Sequence, residues 1–293
     1  MSFRVLVCLA AFLPSVAFGQ QSKTATTLRV FYIGSQPTVS IHLIGLSILA
    51  EFRGHKHVCR SHITSEVPTL RWIWEHPKGD PERLPFDHYG DNLSNQRWDV
   101  LCLQPFGGRL DGKDGDLAMA KNFIDLALKK NPELQVYVYA SWPGPEEGEF
   151  NAAWLKKYTG ADGANGSKDY FERLTLELRK IYPKLKNPVL MVPVGHVMYE
   201  LNQRIKSGKV PGYKSVRDLC YSHILNELRF NTEGCYAVGC TFFATLYKED
   251  PRGLFSNAYE VSDPKVARMI EDAAWKVVNT NELAGVARLK TNP

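Results

Sequence analysis

Four short apolar runs recur along the chain: Leu28–Ile33, Val100–Gln104, Val136–Ala140 and Val189–Val194. Each is too short for a helix and too evenly apolar for a strand with one wet face. Runs of this kind suit strands buried on both sides of a parallel sheet. Between and after them lie helical patterns at Asp116–Lys130, Asp169–Ile181, Val197–Lys206, Glu233–Tyr247 and Pro264–Val278. Asp116–Lys130 spaces its apolar residues three and four apart and ends in lysines, which suits the helix dipole. The alternation predicts an α/β fold: a three-layer α/β/α sandwich with a parallel sheet of about five strands and right-handed crossovers.

The first residues, MSFRVLVCLAAFLPSVAFGQQ, place one arginine before an apolar stretch from Val5 to Phe12. Ala17 and Gly19 then offer small residues at a cleavage point. This is the layout of a secretory signal peptide over residues 1–19, and the apolar stretch is shorter than a membrane span needs. Residues 20–293 are then expected to form one domain, secreted or periplasmic after cleavage near Gly19. No later segment has the roughly 20 apolar residues of a membrane helix.

The net charge of +5 is not gathered into any Lys/Arg-rich run, which argues against a nucleic-acid partner. Beyond the leader, Cys59, Cys102, Cys220, Cys235 and Cys240 form no CxxC pair. Cys102, in WDVLCLQ, is expected in the core, and one bridge among Cys220, Cys235 and Cys240 is open to an exported chain. The eight histidines lack the close helical pairing of a zinc site. His55-Lys56-His57 is expected to face solvent on a loop or strand start. No metal and no cofactor are expected.

Ligands of such folds bind beyond the carboxyl ends of the strands. That rule directs attention to Gly34–Thr38, Pro105–Gly108, Ser141–Gly144 and Gly195–His196. Residues 143–167, rich in Gly, Pro, Asp and Asn, read as a long excursion loop containing the sequon Asn165-Gly166-Ser167. Trp72 and Trp74 are expected to pack a helix onto the sheet. Trp142, beside a strand end, is the better choice for an indole facing a ligand.

Several segments together, LRVFYIG, PTLRWIWEH, RWDVLCLQPF, QVYVYASWP, PVLMVPVG and FNTEGCYAVGCTFFATLYKEDPRGL, resemble the SGNH/GDSL hydrolase superfamily in its exported bacterial form. The resemblance implies a serine esterase site. A Gly-x-Ser turn after the first strand would supply the nucleophile, a glycine and an asparagine the oxyanion donors, and a late Asp-x-x-His segment the base and its carboxylate. A neutral hydroxyl needs a positioned imidazole to become a nucleophile, and the tetrahedral oxyanion needs preorganised donors.

Carried over residue by residue, the catalytic slots are substituted. In Gly34-Ser35-Gln36 the nucleophile position falls on Gln36, with Ser35 one place early. Gly107 or Gly108 suits the oxyanion glycine, but Ser141-Trp142-Pro143 holds no asparagine. In Asn226-Glu227-Leu228-Arg229, asparagine stands in the carboxylate slot and arginine in the histidine slot. Arginine stays protonated and is no general base. The implied protein is a non-catalytic or weakly active binding relative of carbohydrate and acyl esterases. Its cleft would be lined by Gln36, Gln104, Gly107, Trp142, Asn226 and Arg229, and would take a small-molecule or carbohydrate ester. The alternative is an active serine ester hydrolase using Ser35 with a displaced Asp218/His223 pair.

Overall fold

The computed structural model describes residues 25–64, 69–78, 88–105, 108–143, 150–160, 166–210, 212–224 and 227–286. Residues 1–19, expected from the sequence to be a leader, lie outside the described residues, as do Gly107, Asn165 and Asn226.

A parallel five-stranded sheet organises the chain. It comprises β1 (Thr27–Gly34), β2 (Lys56–Ile63), β3 (Val100–Leu103), β4 (Gln135–Tyr139) and β5 (Leu190–Val192) in the order β2-β1-β3-β4-β5. Strand β1 lies between β2 and β3, with Val30 opposite both Cys59 and Val100. Phe31, Tyr32 and Ile33 have no exposed surface. Burial of one such side chain stabilises the fold by about 1.5–3 kcal/mol.

Helices cover both faces. After β1 come α1 (Gln36–Val39) and α2 (Leu43–Phe52), and after β2 come α3 (Leu70–Glu75) and α4 (Tyr89–Asn95). The connection from β3 carries α5 (Asp116–Leu128), and that from β4 carries α6 (Phe150–Leu155) and α7 (Lys168–Ile181). Beyond β5 run α8 (Val194–Lys206), α9 (Val216–Cys220), the antiparallel hairpin β6 (Tyr221–Ile224) and β7 (Glu227–Phe230), α10 (Thr232–Tyr247) and α11 (Pro264–Thr280). Helices α2, α8, α10 and α11 pack together on one face, and α3, α4, α5 and α7 on the other. The expected α/β layering is the observed one.

Local chemistry sets the helix starts. Ser167 accepts from Tyr170 N at 3.3 Å to open α7, and Asn231 accepts from Gly234 N at 2.9 Å to open α10. Asp263 caps α11, with Pro264 in the first turn where its missing N–H costs nothing. Helix α8 begins at Val194 rather than Val197, so Gly195 and His196 belong to its first turn and not to a loop.

Two further expectations change. His55 and His57 are buried, at 7% and 9% exposure, because Lys56–Ile63 forms a full strand. Trp142 is also buried and its ring lies 5.4 Å from Trp154, so it faces the core and not a ligand. Trp74 packs on Tyr89 and Phe123, while Trp72 stacks on His76. Cys102 is a core thiol, and no disulfide joins the five cysteines of the described residues. Among the described residues no helix is long and apolar enough to cross a membrane.

Candidate functional site

The carboxyl ends of β1 and β3 meet at Ser35 and Gln104. Strand β1 delivers Gly34 and Ser35 to the sheet edge, and Ser35 then turns the chain into α1 with φ −127° and ψ −153°. Gln104 follows β3 directly, and its N–H donates to Ile33 O at 2.8 Å. Its side chain thereby sits under the turn. Oε1 of Gln104 accepts from Ser35 N at 2.8 Å, Ser35 Oγ at 3.1 Å and Thr38 Oγ1 at 3.2 Å. Nε2 donates to Pro105 O at 2.9 Å. Ser35 and Gln104 each have 1% exposure.

Close approach makes glycine necessary at position 34. A Cβ there would stand 2.1 Å from Thr38 Oγ1 and 2.8 Å from the Gln104 side chain. Tyr139 at the end of β4 closes the other side, donating from its hydroxyl to Pro37 O at 3.2 Å. The turn is therefore a packed, hydrogen-bonded plug in which the Ser35 hydroxyl already has an acceptor. A hydrolytic nucleophile instead hydrogen-bonds to its base.

The remaining site residues of the sequence reading lie on separate elements. Gln36 is the first residue of α1 and half-buried. Arg229 lies on β7, opposite Ser222 across the hairpin, and is half-buried. Asp218 is exposed, and its carboxylate accepts from Lys214 N at 2.9 Å and Ser215 N at 3.1 Å as half of the capping box that opens α9. His223 lies on β6. Gln104 and Trp142, expected to line a cleft, are instead buried, one by its hydrogen bonds and the other by its aromatic neighbours.

The described histidines have local tasks. His57 sits between the hydroxyls of Tyr32 (3.1 Å) and Tyr247 (2.9 Å), and burial lowers its pKa to about 4. His62 takes Tyr89 N at 3.1 Å, and burial with His88 beside it lowers its pKa to about 4. His55 pairs with Glu249 and His196 with Glu172, each at 3.1 Å. Among the described residues no cluster of three metal-ligating side chains forms.

Among the described residues, a cleft on this edge of the sheet lies over the loop from β3 to α5. The cleft is about 390 Å³ and is lined by Thr69, Arg71, Arg109, Lys113, Asp114 and Asp116. Asp116 forms its floor with 1% exposure. The Tyr170 hydroxyl donates to its carboxyl group, and burial raises the Asp116 pKa to about 7 against the lowering effect of that bond. Gly108 lies against the same carboxyl, where a Cβ would come within 2.4 Å of Oδ2. Tyr158 holds the loop from the side by accepting from Leu110 N at 2.8 Å.

The Asp116–Tyr170 pair was not singled out in the sequence. Its partners are 54 residues apart and carry no shared motif. The signals available were an aspartate opening a helix and a tyrosine in the first turn of another, both common in structural roles.

No family model matches the chain, and no curated protein matches it. Among solved structures, it is similar to the crystal structure of a DUF4886 family protein from Bacteroides uniformis ATCC 8492. The match has a TM-score of 0.57 and covers 87% of this chain and 95% of that one, at 14% identity. This is a likeness of fold.

Proposed function

We propose that this chain is an exported, catalytically silent relative of the SGNH/GDSL ester hydrolases, acting as a binding protein for a small-molecule or carbohydrate ester. One observation carries the reading: the Ser35 hydroxyl is buried and donates to Gln104 Oε1. A serine in that state has no base to take its proton and no access to a carbonyl carbon. The substituted positions Gln36, Asn226 and Arg229 point the same way. Gln36 has no hydroxyl, Asn226 no charge to stabilise an imidazolium, and Arg229 no lone pair to accept a proton. The cleft over the β3–α5 loop, with Arg71, Arg109 and Lys113 on its walls, is the space offered to the ligand.

The test is hydrolysis of a chromogenic acetate ester by the wild type, by Ser35→Ala and by the triple variant Gln36→Ser/Asn226→Asp/Arg229→His. The expected result is no turnover above background for the first two and a measurable rate for the third. Wild-type hydrolysis abolished by Ser35→Ala would overturn the reading and support a serine esterase.

A further inference from the structure

Helix α2 is apolar on every side. Of its ten residues, LIGLSILAEF, only Ser47 and Glu51 are polar, and the Ser47 hydroxyl turns back to donate to Leu43 O at 2.8 Å. Gly45, Leu46, Leu49 and Ala50 form its buried face. On the opposite side Ile44, Ile48 and Phe52 lie four residues apart and so make one row. A helix that is apolar all round belongs in an interior, whereas a surface helix keeps one polar face. Ile44, Ile48 and Phe52 nevertheless expose 73%, 37% and 55% of their surface among the described residues.

The row is extended at its ends. Phe255, 45% exposed, stacks on Phe52 with ring centroids 6.0 Å apart. Val39, 50% exposed, stands on α1 just before the row, and its carbonyl accepts from His42 N at the start of α2, 3.0 Å away. Taking about 200 Å² for a bare side chain of this size, the five leave roughly 500 Å² of apolar surface uncovered. Apolar patches of several hundred Å² are the ones that mark interaction surfaces.

We infer that this face is the interface of a twofold dimer, in which α2 packs antiparallel on α2 of a second copy. Two such patches face to face would remove about 1,000 Å², which reaches the size of a specific interface before any polar rim is counted. The row is also self-complementary. With the axis at Ile48, the spacing of four brings Ile44 opposite Phe52 of the partner subunit, so each aromatic end covers an aliphatic end. Glu51 and the exposed His42 stand towards opposite ends of the helix. Antiparallel packing therefore brings the carboxylate of one copy towards the imidazole of the other. A membrane surface fits less well, because α2 holds no lysine or arginine and its one charged residue is an acid. None of the five apolar side chains lines the cleft over the β3–α5 loop, so the dimer does not require a ligand there.

Sedimentation velocity of the full chain over about a hundredfold range of concentration is the test. A particle of twice the chain mass is expected, dissociating on dilution. Ile48→Glu/Phe52→Glu is expected to raise the dissociation constant by at least about tenfold. Its circular dichroism spectrum is expected to match the wild type, because both side chains already face outwards. Glu51→Lys is expected to weaken the dimer, and His42→Glu/Glu51→Lys to restore it. Leu176→Glu, at an exposed leucine on α7, is expected to change nothing. A monomer at every concentration would overturn the inference. So would a dimer indifferent to Ile48→Glu/Phe52→Glu, an equal loss in Leu176→Glu, or a charge swap that fails to restore association. Monomeric protein that pellets with phosphatidylglycerol vesicles through Ile48 and Phe52 would also overturn it, and would assign the face to a membrane.

Discussion

The hydroxyl of Ser35 ends on Oε1 of Gln104, 3.1 Å away, and the amide N–H of the same serine ends on the same oxygen at 2.8 Å. With Thr38 as the third donor, that oxygen closes the turn that leads from β1 into α1. Gln104→Ala is therefore expected to strand three buried donors and cost about 3 kcal/mol or more. Ser35→Ala removes a single bond and is expected to cost about 1 kcal/mol. Urea denaturation of both variants checks the ratio; equal costs would mean that the glutamine does not hold the turn.

Gly34→Ala puts a methyl group where Thr38 and Gln104 already are. The expected loss is about 2–3 kcal/mol, the usual cost of overpacking. Adding Thr38→Ala removes the nearest clashing atom and is expected to recover part of that loss. Melting temperatures of the single and double variants measure it.

Asp116 has a pKa raised to about 7 in the folded chain, against 3.8 for an ordinary aspartate. A raised folded pKa favours the folded state at low pH, and this contribution is lost as pH rises from about 4 through 7. Asp116→Asn keeps an acceptor for the Tyr170 hydroxyl and cannot ionise. Its melting temperature is expected to exceed that of the wild type by about 5 °C or more at pH 8.5, with a smaller difference at pH 5. Thermal scans at the two pH values test the sign.

His57 and His62 act in the opposite sense. Both are held neutral by burial, with pKa values near 4 against 6.5 in the unfolded chain. Between those values the unfolded chain binds protons that the folded chain does not, so stability falls as pH drops from 6.5 towards 4. The loss is on the order of 3 kcal/mol for each histidine. His57→Gln is expected to flatten the urea midpoint between pH 7 and pH 4.5 by roughly half.

Strands β1, β3, β4 and β5 were legible because both of their faces are buried, which leaves nearly unbroken apolar runs. Strand β2 was not. Lys56, His57, Arg60 and His62 interrupt KHVCRSHI, and the burial of His57 and His62 depends on hydroxyl and amide partners from distant segments. Helix α8 was read three residues late because Pro193 and Gly195 look like loop residues, although proline is well placed just before a helix.

At the site, the position of Ser35 at a strand end was legible and its chemistry was not. What disposes of its hydroxyl is a glutamine 69 residues away, brought beside it by the pairing of β1 with β3. Trp142 misled for a related reason. An indole next to a strand end reads as available until α6 places Trp154 against it.

Among the described residues, strand β2 pairs only with β1 and so forms one border of the sheet. Its exposed Lys56 and Arg60 line a strand whose outer backbone groups would otherwise template the addition of another strand. At the other border, Gly285 lies against Leu190 of β5. The residues that hide β2 from an apolar-run reading thus also guard the chain against edge-to-edge aggregation.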